Sequence, residues 1–184
     1  MSDVFEGFDL DNFLIRGDNE DCEWIGSPLT ETMIAEAEAE TGYRLPASYL
    51  QLLRTQNGGA PVHSVFPMSV ATSWAENHIA ISTIFGLDPN APVSLCGEYG
   101  DAFMKDEWRY PDIGLYICSC PSEGHDMVAL DYRKCGKDGE PEVVHVDQQI
   151  DDFKITYLAK DFSAFIRGLV DSGPYFENEE DRFY

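Results

Sequence analysis

Basic residues are scarce in this 184-residue chain, which holds 12 Lys and Arg against 34 Asp and Glu, a formal net charge of −22. A nucleic-acid binder needs a basic stripe to neutralise phosphates, and an anionic membrane attracts the same cations, so both targets are disfavoured. Long apolar runs are missing too; none approaches the roughly 18 residues of a membrane-spanning helix. The opening MSDVFEGFDLDNFLIRGDNED has neither the basic nor the apolar region of a signal peptide, so no leader is expected. Cysteines are few and odd in number (Cys22, Cys96, Cys118, Cys120, Cys135), which fits reduced thiols and a cytoplasmic location. No G-x-S-x-G elbow and no H-E-x-x-H helix occurs. The four histidines, His63, His78, His125 and His145, are dispersed without ligand spacing.

What is present is a globular composition: 43% hydrophobic and 12% aromatic residues, enough for a core in one domain. The acidic excess has two readings. It is either a solvated surface serving solubility, or a field that speeds encounter with a basic partner protein.

Thr30 is an N-cap candidate for a helix over TETMIAEAEAET, with Met33, Ile34, Ala37 and Thr41 as its buried stripe and Gly42 as its C′ residue. Pro46 opens a second helix whose Tyr49, Leu52, Leu53 and Gln56 recur at i, i+3, i+4, i+7. Asn57-Gly58-Gly59 stops it. A phosphate loop would need these glycines ahead of a helix N-terminus, whereas here they follow a helix, whose carbonyl end repels anions. Strands are expected over 61–68 and 78–87, and a helix over 94–106 that Gly97 and Gly100 weaken. Runs 113–120, 127–132 and 142–146, separated by turn-rich segments, predict an antiparallel meander. A last amphipathic helix is expected over 155–170, with Leu158, Phe162, Phe165, Ile166 and Leu169 on one face. The order of elements gives an α+β fold, a mostly antiparallel sheet flanked by helices. The expected organisation is an acidic extension over 1–21, a domain over 22–172 and an acidic tail over 173–184. Phe5, Phe8, Leu10, Phe13 and Leu14 in the extension are loosely helical in spacing and either dock or stay mobile.

Three groups could carry chemistry. Cys118-Ser119-Cys120 puts two thiols on one strand face, with His125 and Cys135 as further zinc donors. The C-x-C spacing is short for a zinc knuckle, and buried thiols pack as small hydrophobes, so core packing is the expectation and no metal or cofactor is assigned. His125-Asp126 in a hairpin, with Asp131 and Asp147 near, could form an acid–base pair or cation site. The same residue types are what a turn requires. No catalytic residue is assigned on that basis. Glu98, Asp101, Asp106 and Glu107 surround Tyr99, Phe103, Trp108 and Tyr110. Aromatics inside an acidic rim suit a protein-binding surface, or else the aromatics are core and the acids their solvated face. The candidate partner-binding set is Glu98, Tyr99, Asp101, Asp106, Glu107, Trp108, His125 and Asp126.

Taken in order, several motifs resemble a known family. Trp24, a glutamate-bearing helix, Gly42, Leu45-Pro46-x-x-Tyr49 and Asn57-Gly58-Gly59 resemble the N-terminal signature of the SMI1/KNR4 (SUKH) superfamily. Pro111 and Gly114, Gly124 and Asp126, Leu130-Asp131-Tyr132, Pro141, and Leu158-Ala159-x-x-Phe162-x-x-Phe165 continue the likeness over about residues 22–170. The resemblance implies an α+β domain and, for the bacterial type, an immunity protein that neutralises a toxin, often a nuclease. A fungal branch with long disordered flanks acts in cell-wall signalling, so a regulator or scaffold binding endogenous partners is the alternative. The partner implied is a basic toxin domain, bound without nucleic acid or membrane.

Overall fold

The structure is a computed structural model and describes residues 4–17, 22–148 and 152–176. Thr30 caps helix α1 (Glu31–Thr41), its hydroxyl accepting from Met33 N–H at 3.2 Å, and Gly42 ends the helix with φ of 74°. Ile34 and Ala37 are the buried side of α1, with Met33 and Thr41 half-buried. Helix α2 (Ala47–Thr55) starts after Pro46 and buries Tyr49, Leu52 and Leu53. The Tyr49 hydroxyl donates to Phe85 O at 2.6 Å, fixing α2 against the sheet.

Strands β1 (Val65–Pro67) and β2 (His78–Ala80) form a small antiparallel ribbon. Strands β3 (Thr83–Ile84), β4 (Gly114–Ser119), β5 (Asp126–Asp131), β6 (Glu142–Gln148) and β7 (Phe153–Ala159) form one five-stranded sheet in chain order, every pair antiparallel. Short helices α3 (Asp101–Asp106) and α4 (Phe162–Gly168) complete the α+β fold, as the order of elements implied. Both sheet faces are covered, which is why β5 is buried along its whole length and reads as an unbroken apolar run from Met127 to Leu130 between two buried aspartates. One face packs Leu115, Val128, Leu130 and Val143 against α1, α2 and α4 through Ile34, Leu52, Phe162 and Phe165. The other packs Tyr116, Met127, Ala129 and Val146 against Phe85, Met104 and Tyr110.

Four expected elements differ, the first being the strand expected over 61–68, which is confined to β1. Residues 155–170 are not one helix: the β-branched and aromatic run before Ala159 pairs with β6, and Asp161 then caps α4 by accepting from Ala164 N–H at 2.8 Å. The helix expected over 94–106 is confined to α3, because Ser94–Gly100 forms turns so tight that a Cβ at Gly97 or Gly100 would collide with a backbone carbonyl. The strand expected over 78–87 splits, β2 pairing with β1 and β3 joining the main sheet. Of the terminal segments, residues 1–3, 18–21 and 177–184 lie outside the described residues. Within 4–17, Phe5, Leu10, Phe13 and Leu14 are buried in the helix-side core, and Ile15 N–H donates to Ala60 O at 2.8 Å.

The stretch after α2 joins these parts. Asn57 is 1% exposed; its Nδ2 donates to Ser27 O and its Oδ1 accepts from Leu87 N–H, both at 2.8 Å, while its carbonyl accepts from Gly26 N–H at 2.8 Å. Gly58 (φ 94°) passes so close to Trp24 and Gly86 that a Cβ would lie 2.5 Å from Trp24 O. Gln56 Nε2 donates to Ile15 O at 3.1 Å, bringing in the N-terminal segment.

Asn57→Ala orphans a buried N–H and a carbonyl, so urea unfolding should show a loss of about 2–4 kcal/mol, while Asn12→Ala on the surface stays within about 0.5 kcal/mol. Equal effects would contradict the role given to Asn57. Asp88 supplies a pH-dependent counterpart. Burial opposes its charge, but Asn90 N–H and Ser27 N–H, at 2.9 and 2.8 Å, overcome this and hold its carboxyl below the ordinary value. The folded chain therefore binds this proton more weakly than the unfolded chain. The stabilisation is complete above about pH 5 and is lost as acid takes the pH down through the carboxylate range. The urea-midpoint gap between wild type and Asp88→Asn should shrink from pH 7 to pH 3; a constant gap would contradict it.

Candidate functional site

On the α3 side of the sheet a groove of about 310 Å³ runs between α3 and the β4–β5 turn, lined by Phe85, Tyr99, Phe103, Trp108, Glu123 and Gly124 among others. Trp108 presents its edge to His125 at 5.4 Å, and Tyr99 meets Phe103 edge-on at 5.4 Å. Trp74, 55% exposed, lies 6.4 Å from His125 and extends the aromatic surface. The only non-glycine residues with positive φ among those described are Arg109 (62°) and Glu123 (56°), and both flank this groove. Such strain costs about 1 kcal/mol or more per residue and clusters where a surface must hold a set shape. Tyr110 tightens the same wall, donating its hydroxyl proton to Gly124 O at 2.7 Å. Gly124 (φ 96°) lies against the Trp108 ring, where a Cβ would stand 3.4 Å from it.

Glu123 lines this groove, and Glu98, Asp106 and Glu107, next in sequence to Tyr99 or Trp108 of its lining or one turn on from Phe103, are exposed. Glu98, beside the Tyr99 hydroxyl, raises that phenol above its ordinary value. Of the residues named from the sequence, Glu98, Tyr99, Asp106, Glu107, Trp108 and His125 have side chains at least partly open to solvent. Asp101 and Asp126 do not: they are 6% and 3% exposed and cannot act as surface charges. Asp101 Oδ1 accepts from Tyr116 N–H at 2.9 Å and its Oδ2 pairs with Lys105 Nζ at 2.8 Å, so it fastens α3 to β4. Lys105 also donates to Gly114 O at 2.7 Å. Burial raises the Asp101 carboxyl above its ordinary value even so.

His125 and Asp126 do not pair. The β5–β6 register sets Asp126 opposite Asp147 and Val128 opposite His145, and Asp126 Oδ2 meets His145 Nε2 at 2.6 Å instead. Asp131 sits at the far end of β5, bound to Arg133 at 2.6 Å. Cys118 and Cys120 are both buried; burial pushes the Cys118 thiol up, and burial followed by Asp126 does the same for Cys120. Neither thiol is poised as a nucleophile in this state. Sequence reasoning missed Trp74 and Glu123 as neighbours of His125. Trp74 lies 51 positions away in a connection with no periodic signal, held through its neighbour Ser73, whose N–H and Oγ both donate to Asp147, at 2.9 and 2.5 Å.

The family model of SMI1/KNR4 (SUKH-1) matches residues 28–168. The chain therefore belongs to the SMI1/KNR4 (SUKH-1) family. That family is generally associated with non-enzymatic immunity proteins of toxin systems, and its domains typically bind protein partners. No curated protein and no solved structure matches the chain significantly. Among the described residues no helix is long and apolar enough to cross a membrane.

The split between frame and rim predicts unequal mutants. Asp101→Ala strips Lys105 and Tyr116 N–H of a buried partner and should cost about 2–4 kcal/mol in urea unfolding. Asp106→Ala and Glu107→Ala should stay within about 0.5 kcal/mol. A silent Asp101→Ala would show that α3 is not held through this carboxylate.

Proposed function

We propose that this chain is a non-enzymatic immunity protein of the cytoplasm that neutralises a cognate basic toxin, a nuclease being the toxin class that best fits its charge. The observation that carries this reading is the aromatic groove with its acidic rim, on a chain of net charge −22 in a family associated with toxin immunity. A nuclease must present cations to hold phosphates. Such a surface is drawn to an acidic one over long range, and its Arg and Lys side chains can stack on Tyr99 and Trp108 while pairing with Glu98, Asp106, Glu107 and Glu123. Charge then governs the encounter and the desolvated aromatics govern residence time.

Affinity capture from the native cell, washed at low and high salt, should yield one stoichiometric basic protein. Capture of several unrelated proteins would favour a regulatory scaffold instead. With that partner in hand, Glu98→Lys/Asp106→Lys/Glu107→Lys should slow association about tenfold or more at low salt, the difference fading as salt screens the charges. Trp108→Ala should speed dissociation by about tenfold or more. Unchanged kinetics in both variants would remove this face from the interface.

A further inference from the structure

On the helix-side face of the sheet lies a buried polar cluster, one member of which, Cys120, also borders the groove described above. Cys120 just beyond β4, Asp126 at the start of β5 and His145 in β6 are 5%, 3% and 0% exposed. One donor atom from each, a thiol sulfur, a carboxylate oxygen and a ring nitrogen, lies within 4.8 Å of the others. Neither Asp126 Oδ1 nor His145 Nδ1 has a hydrogen-bond partner, although both atoms are buried. Asp126 also lines a cavity of about 140 Å³ shared with Trp74, His78 and Ser122.

The charges are equally unfinished. Asp126 and the adjacent Asp147 (0% exposed) are two carboxylates side by side in the sheet. Asp147 is met by Ser73, through N–H at 2.9 Å and Oγ at 2.5 Å. Among the described residues no Lys or Arg pairs with either, since Lys154, opposite Asp147 in the register, gives its Nζ to Ala71 O at 2.6 Å. Buried carboxylates without a cation are costly, and orphaned buried polar atoms in a native core call for a reason.

We infer that Cys120, Asp126 and His145 form a zinc site. A mixed sulfur, nitrogen and oxygen donor set suits Zn²⁺, whereas Mg²⁺ and Ca²⁺ take oxygen alone. Bonds of about 2.0–2.3 Å place the donors of a tetrahedral zinc about 3.3–3.8 Å apart. No pair of the three donors is more than 4.8 Å apart, and the 2.6 Å hydrogen bond between His145 Nε2 and Asp126 Oδ2 must open by about 1 Å to admit the ion. Uptake releases the Cys120 thiol proton to solvent. Zn²⁺ with one thiolate, one carboxylate and a neutral imidazole is a net-neutral centre, which the low-dielectric interior favours. The cavity beside Asp126 has room for a water as fourth ligand. Such a centre ties β4, β5 and β6 together at the two ends of the turn that carries His125. It stands on this chain's own residues and is independent of the partner's identity.

The test is a titration of the chelator-treated full chain with Co²⁺, then Zn²⁺. The expected result is one equivalent of Co²⁺ with a thiolate charge-transfer band and intense tetrahedral bands, displaced by Zn²⁺. The band should vanish in Cys120→Ser and in His145→Gln, and persist in Cys118→Ser and Cys135→Ser. Failure of the wild type to bind either metal would overturn the site, as would a thiolate band that survives Cys120→Ser. Should a variant not fold, X-ray absorption of the zinc-loaded wild type decides. One sulfur with nitrogen and oxygen neighbours supports the site, and no sulfur or more than one overturns it.

Discussion

Asn57 holds together segments that would otherwise be independent. A single buried side-chain amide receives Leu87 N–H and donates to Ser27 O, while its own carbonyl takes Gly26 N–H. The segment after Trp24, the end of α2 and the strand-exit at Gly86-Leu87 thereby meet at one point. Only residues without a Cβ can stand there: Gly58 abuts Trp24 O, and Gly86 abuts the Asn57 carbonyl. Gly58 and Gly86 answer to this crowded junction, whereas Gly42 ends α1 in the left-handed region and Pro46 opens α2. Nothing at the junction presents a free donor array to an anion, so its role is architectural.

From that junction the sheet is fixed with both faces covered, and the two faces have taken different tasks. The helix-side face carries the larger core, from Phe5 and Phe13 through Leu52 to Phe162 and Phe165. The α3 side carries a smaller one, roofed by a short helix that Asp101 and Lys105 fasten to β4. Thin cover leaves aromatic edges open, and the positive-φ residues Arg109 and Glu123 hold the surrounding loops in shape. A surface built this way loses little conformational freedom on binding, so more of its contact energy remains as affinity.

Elements governed by local chemistry were legible from the sequence. The cap at Thr30, the stop at Gly42, the proline start of α2 and the hairpin loops of the meander each follow from neighbouring residues alone. The fold class and family follow from their order. What sequence could not show depends on register and long-range closure. Ile155-Thr156-Tyr157 carries apolar residues at spacings compatible with a helix, and only the free edge of β6 makes it a strand. Asp101 and Asp126 look like rim acids, but one is drawn inward by Lys105 and Tyr116 and the other by the β5–β6 register. Dispersed histidines gave no hint that His145 meets Asp126, because the contact joins neighbouring strands rather than neighbouring residues.

The central claim is that binding occurs through the aromatic groove between α3 and the β4–β5 turn. Hydrogen–deuterium exchange of the chain, free and bound to its captured partner, tests it most directly. The account predicts new protection at residues 98–110 and 121–125, with little change in α1 and α2. Protection confined to α1, α2 or the β1–β2 ribbon would contradict it.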